Sequence, residues 1–241
     1  MEPAGQKKRS PWLYVGIGCG ALLLLGIVAA VAGVSFLFKQ GQQYQEDLAN
    51  PVSRTERVKK ALGADTLPDG YYAVMSLSVP ALMDTAMLST HSPDAPKTGQ
   101  SEDVRMFVYM FLKAAPVAEQ EQLRKYLEGQ SEDASVLARN GVKLGNGDII
   151  GRGVVPLQDR RVLYVAQRGE LTTQQSERKE PGLNSILFLE CPGQTRLRMG
   201  IWMAPDPDPS TPTDKLDLKG TPADPEAIRT FMSHLNPCKE S

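Results

Sequence analysis

The longest pattern of one kind in the chain is apolar: from Trp12 to Phe38 no Asp, Glu, Lys, Arg or His interrupts the run. A helix rises about 1.5 Å per residue, so a hydrocarbon core of roughly 30 Å needs about 20 such residues. The run exceeds that and predicts an uncleaved transmembrane helix over 12–38. Lys7, Lys8 and Arg9 precede it and Trp12 and Tyr14 begin it, the anchors of a headgroup region. A cleaved signal peptide is the competing reading, since Ala30-Val31-Ala32 fits a cleavage site. Val34, Phe36, Leu37 and Phe38 would then form a greasy new terminus, which favours the anchor. The basic tail, residues 1–11, points the N-terminus to the cytoplasm and the bulk of the chain to the other side of a plasma or inner membrane. Gly16 and Gly20 form a small-xxx-small pair through which two such helices would meet, a route to a homodimer.

Beyond the run the periodicity changes repeatedly. Residues 39–65 read as a polar linker carrying a short helix over 53–62, with Ser53 and Glu56 at capping-box spacing and Gly63 as its stop. The folded domain is expected over 66–241. Tyr71 to Val79 alternates with period two and ends at Pro80, the mark of a strand. Ala81 to Thr90 is short and apolar and reads as a second strand. Val104 to Lys113, apolar on both faces apart from Arg105, is expected inside the sheet. Pro116 opens an amphipathic helix over 117–128 that Gly129 stops.

The second half predicts hairpins. Ile149 to Leu157 and Arg161 to Leu171 flank a polar turn, and Leu183 to Cys191 and Thr195 to Ala204 flank Pro192-Gly193-Gln194. In the last strand Leu197, Met199, Ile201 and Met203 alternate with Arg196, Arg198, Gly200 and Trp202, which predicts one core face and one wet face. Asp224 and Pro225 start a final helix over 225–235, its Ile228, Phe231, Met232 and Leu235 on one side. The whole predicts an α+β domain, an antiparallel sheet of about six or seven strands with flanking helices. The order of elements is broadly similar to that of PsbP-like small domains. No motif residue carries that similarity, and no role is transferred from it.

Charge narrows the function classes. Of 27 basic and 28 acidic residues, Lys7, Lys8, Arg9, Lys39 and Glu2 lie at or before position 39, so the remainder holds 23 and 27. A domain with a net charge of −4 has no electrostatic claim on nucleic acid. With Cys19 inside the apolar run, Cys191 and Cys238 remain as a pair that an oxidising compartment would bridge; two separate buried thiols are the alternative.

Candidate chemistry is sparse. His91 has Ser92 and Asp94 beside it, but adjacency is not triad geometry and no Gly-x-Ser-x-Gly elbow is present. Cys191, His234 and Cys238 supply only part of a zinc site. Asp206, Asp208, Ser210, Asp214 and Asp217 follow calcium-loop spacing, yet Thr211 stands where that loop turns on Gly. Gly145, Gly147 and Gly151 miss a phosphate-binding spacing and read as hairpin glycines. No catalytic, metal or cofactor site is expected. Arg196, Arg198 and Trp202 on the wet strand face form the candidate partner surface, Arg and Trp being favoured at contacts. The sequence thus leads to an integral membrane protein that is a non-enzymatic binding or assembly module of a cell envelope, with a protein partner. An extracytoplasmic small-ligand sensor, or an enzyme with a dispersed site, is the alternative.

Overall fold

Asn50 caps the first described helix, α1 (Pro51–Leu62): its side chain accepts from the N–H groups of Val52 and Ser53 at 2.9 and 3.3 Å. Pro51 at the first position loses no bond, because that N–H would have had no partner in the helix. The cap therefore sits ahead of the expected Ser53. α1 ends on Gly63 at φ 59°, and a Cβ there would stand 1.9 Å from the Asn236 carbonyl oxygen, so no other residue fits this turn. Val58 and Leu62 are buried, which makes α1 part of a domain beginning at Asn50 and not at 66. The computed structural model describes residues 49–95, 103–113, 116–139, 147–171 and 180–239. The apolar run with Gly16 and Gly20 lies outside these. Among the described residues no helix is long and apolar enough to cross a membrane.

Seven strands form one antiparallel sheet: β1 (Tyr72–Val79), β2 (Met83–Ser89), β3 (Met106–Leu112), β4 (Gly147–Pro156), β5 (Arg161–Leu171), β6 (Glu180–Glu190) and β7 (Leu197–Pro205). Their order is β1-β2-β3-β7-β6-β5-β4, two meanders joined where β3 pairs with β7. From β3 the chain runs through α2 (Val117–Leu127) and α3 (Ser135–Arg139) to the far edge at β4. It closes with α4 (Pro225–Ser233), whose first turn is capped by Asp224 accepting from Glu226 N–H at 2.9 Å.

Cross-strand partners point to the same side of a sheet, so the register gives the composition of each face. One face carries Ala73, Leu88, Phe107, Trp202, Ser185 and Ala166 in a row, and Ala86, Tyr109, Gly200, Leu187 and Tyr164 in the next. Helices α1 and α4 bury it through Val58, Leu62, Ile228, Phe231 and Met232. Trp202 stacks on Phe231 with ring centroids 4.5 Å apart and donates from Nε1 to the Tyr71 hydroxyl at 2.8 Å. The opposite face is buried only in part. Leu123, Tyr126 and Leu127 of α2, with Val136 and Leu137 of α3, close over Leu163, Val165, Ile186, Phe188, Leu197 and Met199.

The expected wet face of the last strand is corrected here. Arg198 is 2 % exposed and Trp202 4 %, because the side they share is the one roofed by α1 and α4. Alternation fixed which residues travel together. It did not fix which set meets water, since helices lie on both sides of this strand.

Candidate functional site

Four rows cross the open half of the sheet. Val79, Met83, Leu112 and Leu197 pair in sequence, then Leu77, Thr85, Met110 and Met199, then Met75, Met87, Val108 and Ile201, then Ser89, Met106 and Met203. Leu197 and Met199 are buried under α2 and α3; the positions on β1, β2 and β3, and Ile201 and Met203, remain half-exposed, apart from the buried Ser89. Met75 at the edge reaches 37 %. The α2–α3 cluster stops at Met110, Leu112 and Ile201, which it touches only in part. Seven of the nine methionines of the chain stand in these rows, all but the buried Met199 at least half-exposed, and no charged residue stands among the positions named.

An unbranched thioether adapts to irregular partners, and a contiguous apolar patch on a domain surface marks contact with something apolar. At the inner end of the fourth row Met203 pairs with Asn184, which pairs with Gln167. Asn184 Oδ1 and Gln167 Oε1 are buried without a hydrogen-bond partner among the described residues. These oxygens have no exposed surface, so they close the inner margin of the half-face without adding polar groups to it.

The other face holds a group of ionisable side chains at the sequence-predicted surface. Ser78, Asp84, Phe111 and Arg198 form a row at the end of the sheet. Asp84 accepts from Lys113 Nζ at 2.9 Å and from Ser78 Oγ at 2.5 Å. Arg198 lies 4.3 Å over the Phe111 ring and donates from Nε to the Pro237 carbonyl at 3.0 Å. Arg196, on the surface, sits 5.9 Å from the same ring. Tyr109 is buried beside Arg198. Burial pushes its phenol well above the ordinary range, an effect that the Arg198 charge opposes without overcoming. A phenol held neutral, a carboxylate held by an ammonium and a guanidinium bound to backbone make a structural network. No nucleophile in it has an adjacent base.

That network borders the end of the chain. Cys191 and Cys238 are bridged, with Cα atoms 5.5 Å apart. Gln194 Nε2 donates to the Cys238 carbonyl at 3.0 Å, and Asn236 N–H to the Leu62 carbonyl at 3.0 Å. Arg160, buried in the β4–β5 turn, donates to the carbonyls of Met232 (2.8 Å) and Leu235, which satisfies the end of α4. Bridged sulfurs offer no thiolate to a metal, and His234 is exposed. The partial zinc set is therefore a disulfide with a surface histidine near it.

The remaining sequence candidates are placed as follows. His91 is exposed; Asp94 pairs with Arg54, and Ser92 Oγ accepts from Asp94 N–H at 3.3 Å, so the three do not converge. In the acidic loop Arg168 occupies the interior: it donates to Asp206 at 2.6 Å, to the Thr211 and Asp208 carbonyls at 2.7 and 2.8 Å, and to Thr213 Oγ1 at 3.1 Å. The Asp208 carboxylate accepts from the side chains of Ser210 and Thr211, which lower its pKa. A guanidinium thus organises the calcium-like spacing, with Asp214 and Asp217 on the exposed outside. Gly147 and Gly151 lie in β4; Gly145 is outside the described residues.

The methionine half-face escaped the sequence reading, although its signal was there. Met83, Met87, Met106, Met110 and Met203 recur at period two or four within strands, which is core-like patterning. Only the position of α2 shows that, among the described residues, no helix covers this half. Comparison with protein-family models, with curated proteins and with solved structures finds no match to this chain.

Proposed function

We propose that the chain is a membrane-anchored, non-enzymatic binding or assembly module of a cell envelope, whose domain outside the cytoplasm docks a protein partner through the methionine-rich half-face. The observation that carries this reading is a charge-free apolar sheet surface left open beside a covered one. Arg198 and Trp202 leave the partner surface, being core; Arg196 stays at the surface outside the half-face. The tether in this reading is the Trp12–Phe38 run.

Capture of partners by the full-length chain from detergent-solubilised membranes tests the reading. Met87→Lys and Met110→Lys place a charge in the middle of the face and are expected to lose the partner, while Arg196→Glu keeps it. Retention of every partner by both lysine variants, with unchanged far-UV circular dichroism, would overturn it. The second reading, a small-ligand sensor or dispersed-site enzyme, would have to use the Tyr109–Arg198–Asp84 network, which in this structure holds the fold together. It predicts that Tyr109→Phe abolishes ligand binding or turnover without changing partner capture.

A further inference from the structure

Residues 236–239 cross the end of the sheet at the row of Ser78, Asp84, Phe111 and Arg198. Asn236 donates from its N–H to the Leu62 carbonyl at 3.0 Å and from Nδ2 to Asp159 at 3.3 Å. The Pro237 carbonyl accepts from Arg198 Nε, and the Cys238 carbonyl from Gln194 Nε2, each at 3.0 Å. Two costs stand against these bonds. Asn236 Oδ1 and Gln194 Oε1 are buried with no hydrogen-bond partner among the described residues, so the seated segment keeps two amide oxygens from water. Fixing four residues also costs conformational entropy, which bonds made in exchange for bonds to water do little more than match. The segment is therefore held down by the Cys191–Cys238 bridge more than by its contacts. We infer that this bridge is a redox latch: its reduction frees residues 236–239 and brings the buried Arg198 guanidinium to the surface.

The fold beneath stands without the bridge. Strands β6 and β7 pair from Gly182 and Pro205 to Phe188 and Met199, and the turn between them is closed by Gln194 N–H donating to the Cys191 carbonyl at 3.1 Å. The end of α4 is satisfied by Arg160 and seated by the buried Leu235, both ahead of the segment. Opening is accordingly local. Access decides the chemistry. Cys191 is buried and Cys238 half-exposed, so the thiolate of an incoming dithiol meets the Cys238 sulfur. A mixed disulfide forms there and Cys191 leaves as a thiolate that takes up a proton. The second thiol of the dithiol then displaces Cys238, which is protonated in turn, and closes its own disulfide. Two electrons and two protons pass from the dithiol to the protein. Arg198, stacked on Phe111, then adds its charge to those of Arg196 and Lys113 at the surface.

The test uses the whole chain with Cys19→Ala in detergent, oxidised or reduced with dithiothreitol, then treated with phenylglyoxal and read by peptide mass spectrometry. Arg198 is expected to be modified about tenfold faster or more in the reduced chain, since local opening exposes it. Arg168, held in the acidic loop by Asp206 and Thr211, should keep its rate. Cys191→Ser combined with Cys238→Ser should give the reduced pattern without reductant. Reduction of the already folded chain decides the matter if that variant does not fold. A bridge that dithiothreitol does not open in the folded chain would overturn the inference, as would an Arg198 rate unchanged when alkylation shows both thiols free. Arg168 accelerating alongside Arg198, with loss of far-UV circular dichroism, would also overturn it, because the bridge is then a staple of the whole domain.

Discussion

The two halves of one sheet face are built from the same kinds of residue and end differently. Along the third row, Met75, Met87, Val108 and Ile201 continue into Ile186 and Val165 without a break in apolar character. Over β5 and β6 that row is sealed by Leu123, Tyr126 and Leu127; over β1 to β3 it is open. The covered half is aliphatic and aromatic, with Leu163, Val165, Ile186 and Phe188, side chains of defined rotamer that pack against one fixed helix. The open half is rich in methionine, with Met75, Met83, Met87, Met106, Met110 and Met203. The difference teaches that residue type, more than hydrophobicity, separates the side chains sealed under a fixed helix from those outside it.

Each half responds differently to perturbation, and the largest effect belongs to neither. Replacing Cys191 and Cys238 with Ala opens a bridge spanning 47 residues. The chain-entropy estimate for such a loop is about 4 kcal/mol, read as a drop in the urea midpoint. Because the bridge holds the end of the chain against the other face, the methionines of the open half should label no faster under native conditions. Faster labelling would tie the half-face to that bridge and blur the comparison.

Next come the sealed positions. Leu163→Ala and Ile186→Ala remove fully buried side chains and should cost about 3 kcal/mol each in urea unfolding. Val108→Ala and Met87→Ala, at half-exposed positions of the same face, should cost about 1 kcal/mol or less. Equal costs would mean that the open half is roofed after all.

Mild peroxide gives a chemical version of the same contrast. Met75 and Met87 should reach the sulfoxide about tenfold sooner than Met199 and Met232, which are fully buried, as peptide mass spectrometry would show. Membrane-reconstituted full-length chain should protect the first pair if the face is occupied there.

The smallest effect is a pH slope. Burial raises the Tyr109 phenol above its ordinary value of 10.0, and Tyr71 is raised for the same reason. Below about pH 10 both folded and unfolded chains keep these protons. Above it the unfolded chain releases protons that the native state holds, so stability falls as pH rises towards the folded values. Tyr109→Phe should flatten that fall in urea midpoints measured from pH 9 to 11; a slope unchanged in this variant would place the phenol in a wetter site than its burial implies.

Much of the fold was legible along the chain. Seven strands, three of the helices and the Asp224–Pro225 start follow from periodicity, proline and glycine, because those signals act within a few residues of themselves. The bridge between Cys191 and Cys238 was one of two readings open to an even pair of cysteines, and the geometry decides for it. What escaped the sequence was local and irregular. α3 is a single turn and a half, too short to show a period, and the cap at Asn50 lies ahead of the capping-box spacing of Ser53 and Glu56.

By itself the sequence determined which residues share a side: Arg198 with Trp202, Met199 with Met203. Backbone geometry alternates side chains whatever surrounds them, so this needs no knowledge of neighbours. Only the tertiary structure decided which side is roofed, because that depends on where helices distant in sequence come to rest. α4 covers Trp202 and takes it out of reach of a partner, while α2 reaches Met199 and stops short of Met203.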